Sequence, residues 1–198
     1  MSKHVLVIGD TILDHNVYCE PIGLSLETPT IKTRFSSEDY SFGGAANVVS
    51  NLLALGCKVS FITGIARDKY ASIIDAWAHP NLSLCWLPYN GQNTVKSRFW
   101  LSRNDVPYKY LQMNQGTPMD TAPSQILNAV KNGLGMASPD LVLLVDYRHG
   151  MFRNEEFTQE VIALCHSKST PVISSSQTSS RGDRYSFFCN SDLICMNQ

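Results

Sequence analysis

An excess of basic charge is missing from this chain of 198 residues: 16 Lys and Arg stand against 17 Asp and Glu, a formal net charge of -1. That balance offers no field for gripping nucleic acid or an anionic membrane, and neither partner is expected. Long apolar runs are missing as well. The first, Val5-Leu6-Val7-Ile8, stops at Gly9-Asp10, too early for a signal-peptide core and far short of the ~20 residues of a membrane span. A cytoplasmic protein is expected. Cys-x-x-Cys pairs are absent: Cys19, Cys57, Cys85, Cys165, Cys189 and Cys195 are scattered, with no histidine cluster beside them. Reduced, packed cysteines are therefore expected, and neither a disulfide framework nor a metal site. No Gly-x-Gly-x-x-Gly follows the first apolar run, and no Gly-x-x-x-x-Gly-Lys-Ser/Thr occurs anywhere. The dinucleotide fingerprint and the phosphate-binding loop are thereby excluded.

What is present is enough apolar material, 43% of residues, for one sizeable core. His4–Ile8 reads as a buried strand. Ala45, Val48, Val49, Leu52 and Leu53 then follow the spacing of a helix packed on one face, with Gly56 to stop it. Residues 59–63, 82–86, 141–145, 172–173 and 193–196 read as further strands. Helices are expected after Asp68, from about Thr121 with Pro123 in the first turn, and after Asn154 as a cap. Strands alternating with helices imply a mostly parallel sheet covered on its faces. Two stretches break the rhythm. Thr30–Phe35 and Val95–Leu101 alternate with period two, and the second runs through a turn into Tyr108–Met113. With 17–20 they predict a small antiparallel sheet projecting from the α/β body. Ser174–Ser180 is expected to be a loop.

The candidate chemistry sits where such sheets bind ligands, outside the carboxyl ends of the strands. Asp10 and Asp14 follow the first strand and offer acceptor-only groups suited to sugar hydroxyls; equally, Asp10 can cap a turn and Asp14 can face solvent. Gly43-Gly44 before the first helix permits close backbone approach beside free N–H donors, and Asn47 stands one turn in; a plain loop-to-helix junction reads the same way. Lys96 and Arg98 share one strand face, either to hold an anion or simply to meet water. Asp146 follows the run 141–145, with His149 nearby.

In order along the chain stand Val5-Leu6-Val7-Ile8-Gly9-Asp10 with Asp14, Gly43-Gly44-Ala45-Ala46-Asn47-Val48, Asn51-Leu52 with Leu55-Gly56, Thr94-Val95-Lys96 with Arg98-Phe99, and Val145-Asp146-Tyr147 with Gly150. Together they resemble the ribokinase-like (PfkB) carbohydrate kinases, and within them the heptose-phosphate kinase branch of ADP-heptose synthases, to which Ser25, Glu27 and Pro29 are also similar. The resemblance implies a three-layer α/β sandwich with a small antiparallel β lid, its strands near 17–35 and 95–113. It implies sugar contacts from Asp10, Asp14, Gly43, Gly44, Asn47 and Asp146, and contacts to a sugar phosphate from Lys96 and Arg98. It places Asn197 beside the ATP site, with ATP and Mg2+ as the complete kinase's cofactors and a homodimer formed through the lid. The family's catalytic Asp belongs to a Gly-Ala-Gly-Asp motif that residues 1–198 do not contain. No catalytic residue is assigned, and the chain is expected to be the N-terminal portion of a kinase domain without its C-terminal ATP-site portion. The alternative expectation is a catalytically incompetent sugar-binding or interaction protein derived from this family.

Overall fold

A computed structural model describes residues 2–103, 106–179 and 182–196. The core is a six-stranded sheet of order β10-β9-β8-β1-β4-β5. Its strands are β1 (His4–Gly9), β4 (Lys58–Ala66), β5 (Leu82–Tyr89), β8 (Leu141–Asp146), β9 (Val172–Ser176) and β10 (Leu193–Met196), and every pairing is parallel. β1 lies inside the sheet, and Leu6, Val7 and Ile8 are wholly buried because helices cover both faces. On one face α3 (Pro123–Ala137) and α4 (Glu155–His166) pack Ile126, Val130, Leu134 and Val161 onto Leu6, Ile8 and Leu144. On the other, α1 (Ala45–Ala54) packs Ala45, Ala46, Val49 and Leu53 onto Val5, Val7 and Phe61. Each buried Val or Leu on such a face contributes about 1.5–3 kcal/mol.

The helix ends follow the side chains expected to make them. Gly56, at φ +80°, gives its N–H to the Leu53 carbonyl while Cys57 donates to that of Leu52, which closes α1. The Asn154 side chain accepts from the Phe157 N–H and opens α4. The helix after Asp68 is only the short α2 (Ala71–Asp75). A four-residue helix, α5 (Tyr185–Phe188), precedes β10. Ser174–Ser176, expected in a loop, continue β9 instead: Ser174 and Ser176 are buried, and Ser176 gives its hydroxyl proton to the Asp146 carboxylate. All six cysteines are free, and Cys85, Cys189 and Cys195 are exposed rather than packed. Among the described residues no helix is long and apolar enough to cross a membrane.

The projecting sheet is built from β2 (Thr11–Leu24), β3 (Ile31–Gly44), β6 (Val95–Arg103) and β7 (Val106–Gln115), in the order β3-β2-β6-β7. It is mixed, where an antiparallel sheet was expected. β2–β3 and β6–β7 are antiparallel hairpins, but the central β2–β6 pair is parallel. Both outgoing strands start from the body, β2 directly after β1 and β6 opposite Leu13, and both hairpins return to it, so the two adjacent outgoing strands must point the same way. The sheet also begins earlier than expected, at Thr11, and Gly43-Gly44 end β3 opposite Ile12 and Thr11 rather than lying in a loop.

Candidate functional site

The two faces of the lid differ because its strands alternate. Across one face run the rows Ser41–Asp14–Lys96–Asn114 and Asp39–Asn16–Arg98–Gln112. Across the other run Glu38–Val17–Phe99–Leu111 and Phe35–Cys19–Leu101–Tyr108. One face is charged and polar; the other is largely apolar.

The charged face meets the body at the root of the lid. There the Leu13 N–H binds the Thr94 carbonyl and the Thr11 and Thr63 hydroxyls lie 2.9 Å apart, which fixes β2 against β6 and β4. A cavity of about 360 Å³ opens at this corner, lined by Asp14, Gly43, Gly44, Asn47, Lys96 and Arg98, with Ile12, Ser41, Phe42 and Tyr147 completing its wall. Three motifs that are far apart in the chain thus converge on it. Arg98 Nη1 stands 2.8 Å from Asp14 Oδ1, each side chain about one quarter exposed. That oxygen is itself shielded from solvent and has no aligned hydrogen bond. The Lys96 ammonium lies 5.9 Å from the centre of the Tyr147 ring. Asn47, in the first turn of α1, is exposed at the rim.

The glycines shape this corner by what they leave out. A Cβ on Gly43 would stand 2.7 Å from Asp14 Oδ2, so the missing side chain lets the carboxylate lie across β3. Gly44 sits at φ +63°, ψ -138°, and turns the chain from β3 into α1. Its expected helix-start donor is partly used: the Ala45 N–H is bound to the Asp10 carbonyl.

Asp10 and Asp146, both expected to contact sugar, do not line this cavity. Asp10 is 4% exposed, and its carboxylate accepts the backbone N–H groups of Tyr147, His149 and Met151 at 2.9, 3.2 and 3.1 Å. Burial, reinforced by the charge of Asp146, pushes it up to about 6 against the pull of those three donors. It anchors the loop after β8 that carries Tyr147 to the cavity. Asp146 is held by the Ser176 hydroxyl, the Arg148 N–H and, at 3.2 Å, Arg184 Nη1. With its side chain wholly buried, it is the inner half of an ion pair. His149 is held below its ordinary range by burial and then by the charge of Lys96.

Sequence reasoning missed Ser41, Tyr147, Arg148 and Arg184. Ser41 was recoverable, since it shares a strand face with Gly43. Arg148, at φ +64°, donates to the Gln177 and Gly182 carbonyls and the Ser179 hydroxyl, fastening a segment about 30 residues away; no local pattern announces that. Chemically, the cavity offers one hydroxyl acceptor, one amide and two cations, the complement of a polyhydroxylated anion. Asn197, expected beside the ATP site, lies outside the described residues; Asp146 is sealed under Arg184, and among the described residues no group of three His, Cys, Asp or Glu could hold a metal ion.

No family model matches the chain. The bifunctional protein HldE of Magnetococcus marinus is 31% identical over 179 residues, covering 87% of this chain and 36% of that protein. The bifunctional protein HldE of Campylobacter curvus is 29% identical over 206 residues, covering 100% of this chain and 41% of its own length. The chain therefore spans about two fifths of the curated relatives it matches. Among solved structures, phosphofructokinase-2 from Escherichia coli in complex with potassium superposes with a TM-score of 0.70 at 13% identity, over 98% of this chain and 60% of that one. The microbiome-derived acarbose kinase Mak1 gives 0.66 at 14% identity, over 99% and 61%. These likenesses are of fold: the three-layer sandwich and its lid.

Proposed function

We propose that this chain, which belongs to the ribokinase-like (PfkB) carbohydrate kinases and to the HldE-related branch among them, binds the sugar phosphate acceptor of a heptose phosphate kinase. The observation that carries the reading is the convergence of Asp14, Asn47, Lys96 and Arg98 on one cavity at the carboxyl end of β1. Asp14 accepts from sugar hydroxyls and Asn47 adds an amide at the rim. Lys96 and Arg98 take the phosphate, Arg98 through its planar fork. Asp10 acts one step back, by holding the Tyr147 loop. The phosphoryl donor of the complete kinase is ATP with Mg2+; the residues described here hold the acceptor side alone.

A second copy of the chain covers the apolar face of the lid. Phe35, Leu111, Met113 and Tyr108 are 60%, 49%, 47% and 69% exposed there, on a sheet whose opposite face is charged. Exposed apolar sheet surface of this kind marks an association site.

Titration calorimetry with a heptose phosphate tests the acceptor reading. Asp14→Ala removes a charge-assisted hydrogen bond and is expected to weaken binding at least about tenfold. Failure of the folded protein to bind any sugar phosphate, or an Asp14→Ala variant that binds as well, would refute it.

A further inference from the structure

The polar wall of the cavity is occupied by its own residues. Asp14 and Arg98, the acceptor for hydroxyls and the donor for an anion, stand 2.8 Å apart and face each other. Their strands pair so that Asn16 lies opposite Arg98 and Asp14 opposite Lys96, which sets the guanidinium diagonally across from the carboxylate. The contact is one of charge without alignment: Asp14 Oδ1 is out of reach of water yet accepts no well-directed hydrogen bond. Asp14 Oδ1 is therefore held by the guanidinium without being satisfied by it. The carboxylate already lies in the space a Gly43 side chain would fill, with Oδ2 2.7 Å from where that Cβ would stand, so the glycine is what lets Asp14 reach the guanidinium in this pose.

We propose that the Asp14–Arg98 pair is a substrate-exchanged latch that makes hydroxyl and phosphate recognition depend on one another. This rests on the acceptor reading given above. A neutral sugar finds Asp14 engaged by a cation, and taking it leaves Arg98 unpaired in a half-buried site. Inorganic phosphate finds Arg98 engaged by an anion, and taking it strands a shielded carboxylate beside a second negative charge. A ligand carrying both groups exchanges both partners in one event: its phosphate replaces the carboxylate on Arg98, and its hydroxyl replaces the guanidinium on Asp14. No charge is then left unpaired. The site selects phosphorylated sugars against free sugars and against phosphate, by the penalty on half-exchange as well as by added contacts. Lys96, already beside the wall, strengthens the anion arm without being part of the latch.

The distinguishing sign is a gain of binding on deletion. Affinities of the intact protein are measured by ligand-observed NMR for three probes: a heptose phosphate, the same heptose without phosphate, and inorganic phosphate. Arg98→Gln releases Asp14 and is expected to improve binding of the neutral heptose about 2–10-fold while weakening the heptose phosphate. Asp14→Asn releases Arg98 and is expected to improve binding of inorganic phosphate by a similar factor. Both gains are required. If either probe binds its variant no better than the unaltered protein, the two groups support rather than occupy each other, and the latch is refuted. A measurement without substitution guards against misfolded variants: rising ionic strength should improve neutral heptose binding to the unaltered protein, and a flat or falling dependence counts against the latch. The outcomes separate the two ideas. Both gains without any heptose phosphate binding would leave the latch standing and remove the heptose phosphate reading. Tight heptose phosphate binding without the gains would do the reverse.

Discussion

Gly43 and Gly44 are neighbours, and alanine at each should fail for a different reason. At Gly43 the added Cβ would meet Asp14 Oδ2 at 2.7 Å and Cγ at 3.1 Å, with no backbone atom among its three nearest neighbours. The end of a side chain can move, by about 0.7 Å to reach ordinary contact, so the fold should lose less than about 1 kcal/mol. Asp14 is the group displaced, however, and a charge-assisted bond moved by that much loses much of its ~1.5–3 kcal/mol. Sugar phosphate affinity should therefore fall about 5–50-fold in a protein of near-normal stability. At Gly44 the Cβ would stand 2.5 Å from the Asp10 carbonyl oxygen, on a residue at φ +63°. That oxygen accepts the Ala45 N–H that starts α1, so both the turn and the helix start must shift. A cost of about 2–4 kcal/mol in folding is expected, appearing in urea melts before any ligand is added. Urea denaturation paired with calorimetry checks both halves. Gly43→Ala with unchanged affinity, or with a stability loss equal to that of Gly44→Ala, would refute the assignment of Gly43 to the site and Gly44 to the fold.

Asp10 sits in its pocket with a pKa of about 6, raised by burial above the 3.8 of an ordinary Asp. Its contribution to stability is thus full below about pH 4 and declines as the pH rises through 6, so the unfolding free energy gap between the native protein and Asp10→Ala should narrow by on the order of 2 kcal/mol from pH 4 to pH 7; a gap that widens would contradict this. Arg184→Met leaves the buried Asp146 carboxylate without its cation and should cost about 3–5 kcal/mol in a urea melt, whereas a loss under 1 kcal/mol would show that the Ser176 and Arg148 bonds suffice. Sedimentation of the native protein should report a dimer at micromolar concentration that Leu111→Asp converts to monomer, and a monomeric native protein would dispose of the lid interface.

The body of the fold was legible because parallel strands leave a direct trace. Val5–Ile8 and Leu141–Val145 are apolar without interruption, as strands with helices on both faces must be. The lid was legible where it stands clear of the body, along 95–101, and illegible at its root. Ile12 and Leu13 point to opposite faces of β2, yet both are 1% exposed, since Ile12 lies in the cavity wall against Gly44 and Leu13 meets Tyr70 and Val95. Alternation vanishes wherever both faces of a strand are covered, and so the start of β2 was missed. The parallel β2–β6 pair could not be read at all, because it joins segments about 80 residues apart through a contact that neither hairpin encodes alone.

The same limit divides the carboxylates. Asp10, Asp14 and Asp146 look alike in sequence, each at or just beyond the end of an apolar strand. Lys96 and Arg98 could be placed together because one period-two rule governs both, whereas Asp14 joins them only through the β2–β6 register that the sequence did not reveal. Asp10 and Asp146 answer to groups that the sequence does not bring near: backbone donors at 147, 149 and 151 for the first, and Arg184 for the second. A carboxylate whose oxygens are taken up by backbone N–H groups has its charge spent on holding a loop. One whose shielded oxygen faces only a misaligned guanidinium can still accept a hydrogen bond from a ligand. What separates the binding residue from the anchoring one is therefore the count of backbone donors within reach, a property of loop geometry. On the acceptor reading proposed above, Asp14, the one of the three that keeps an oxygen without an aligned hydrogen bond, is the carboxylate that meets the ligand, and Asp10 supports it from behind by fixing where Tyr147 stands.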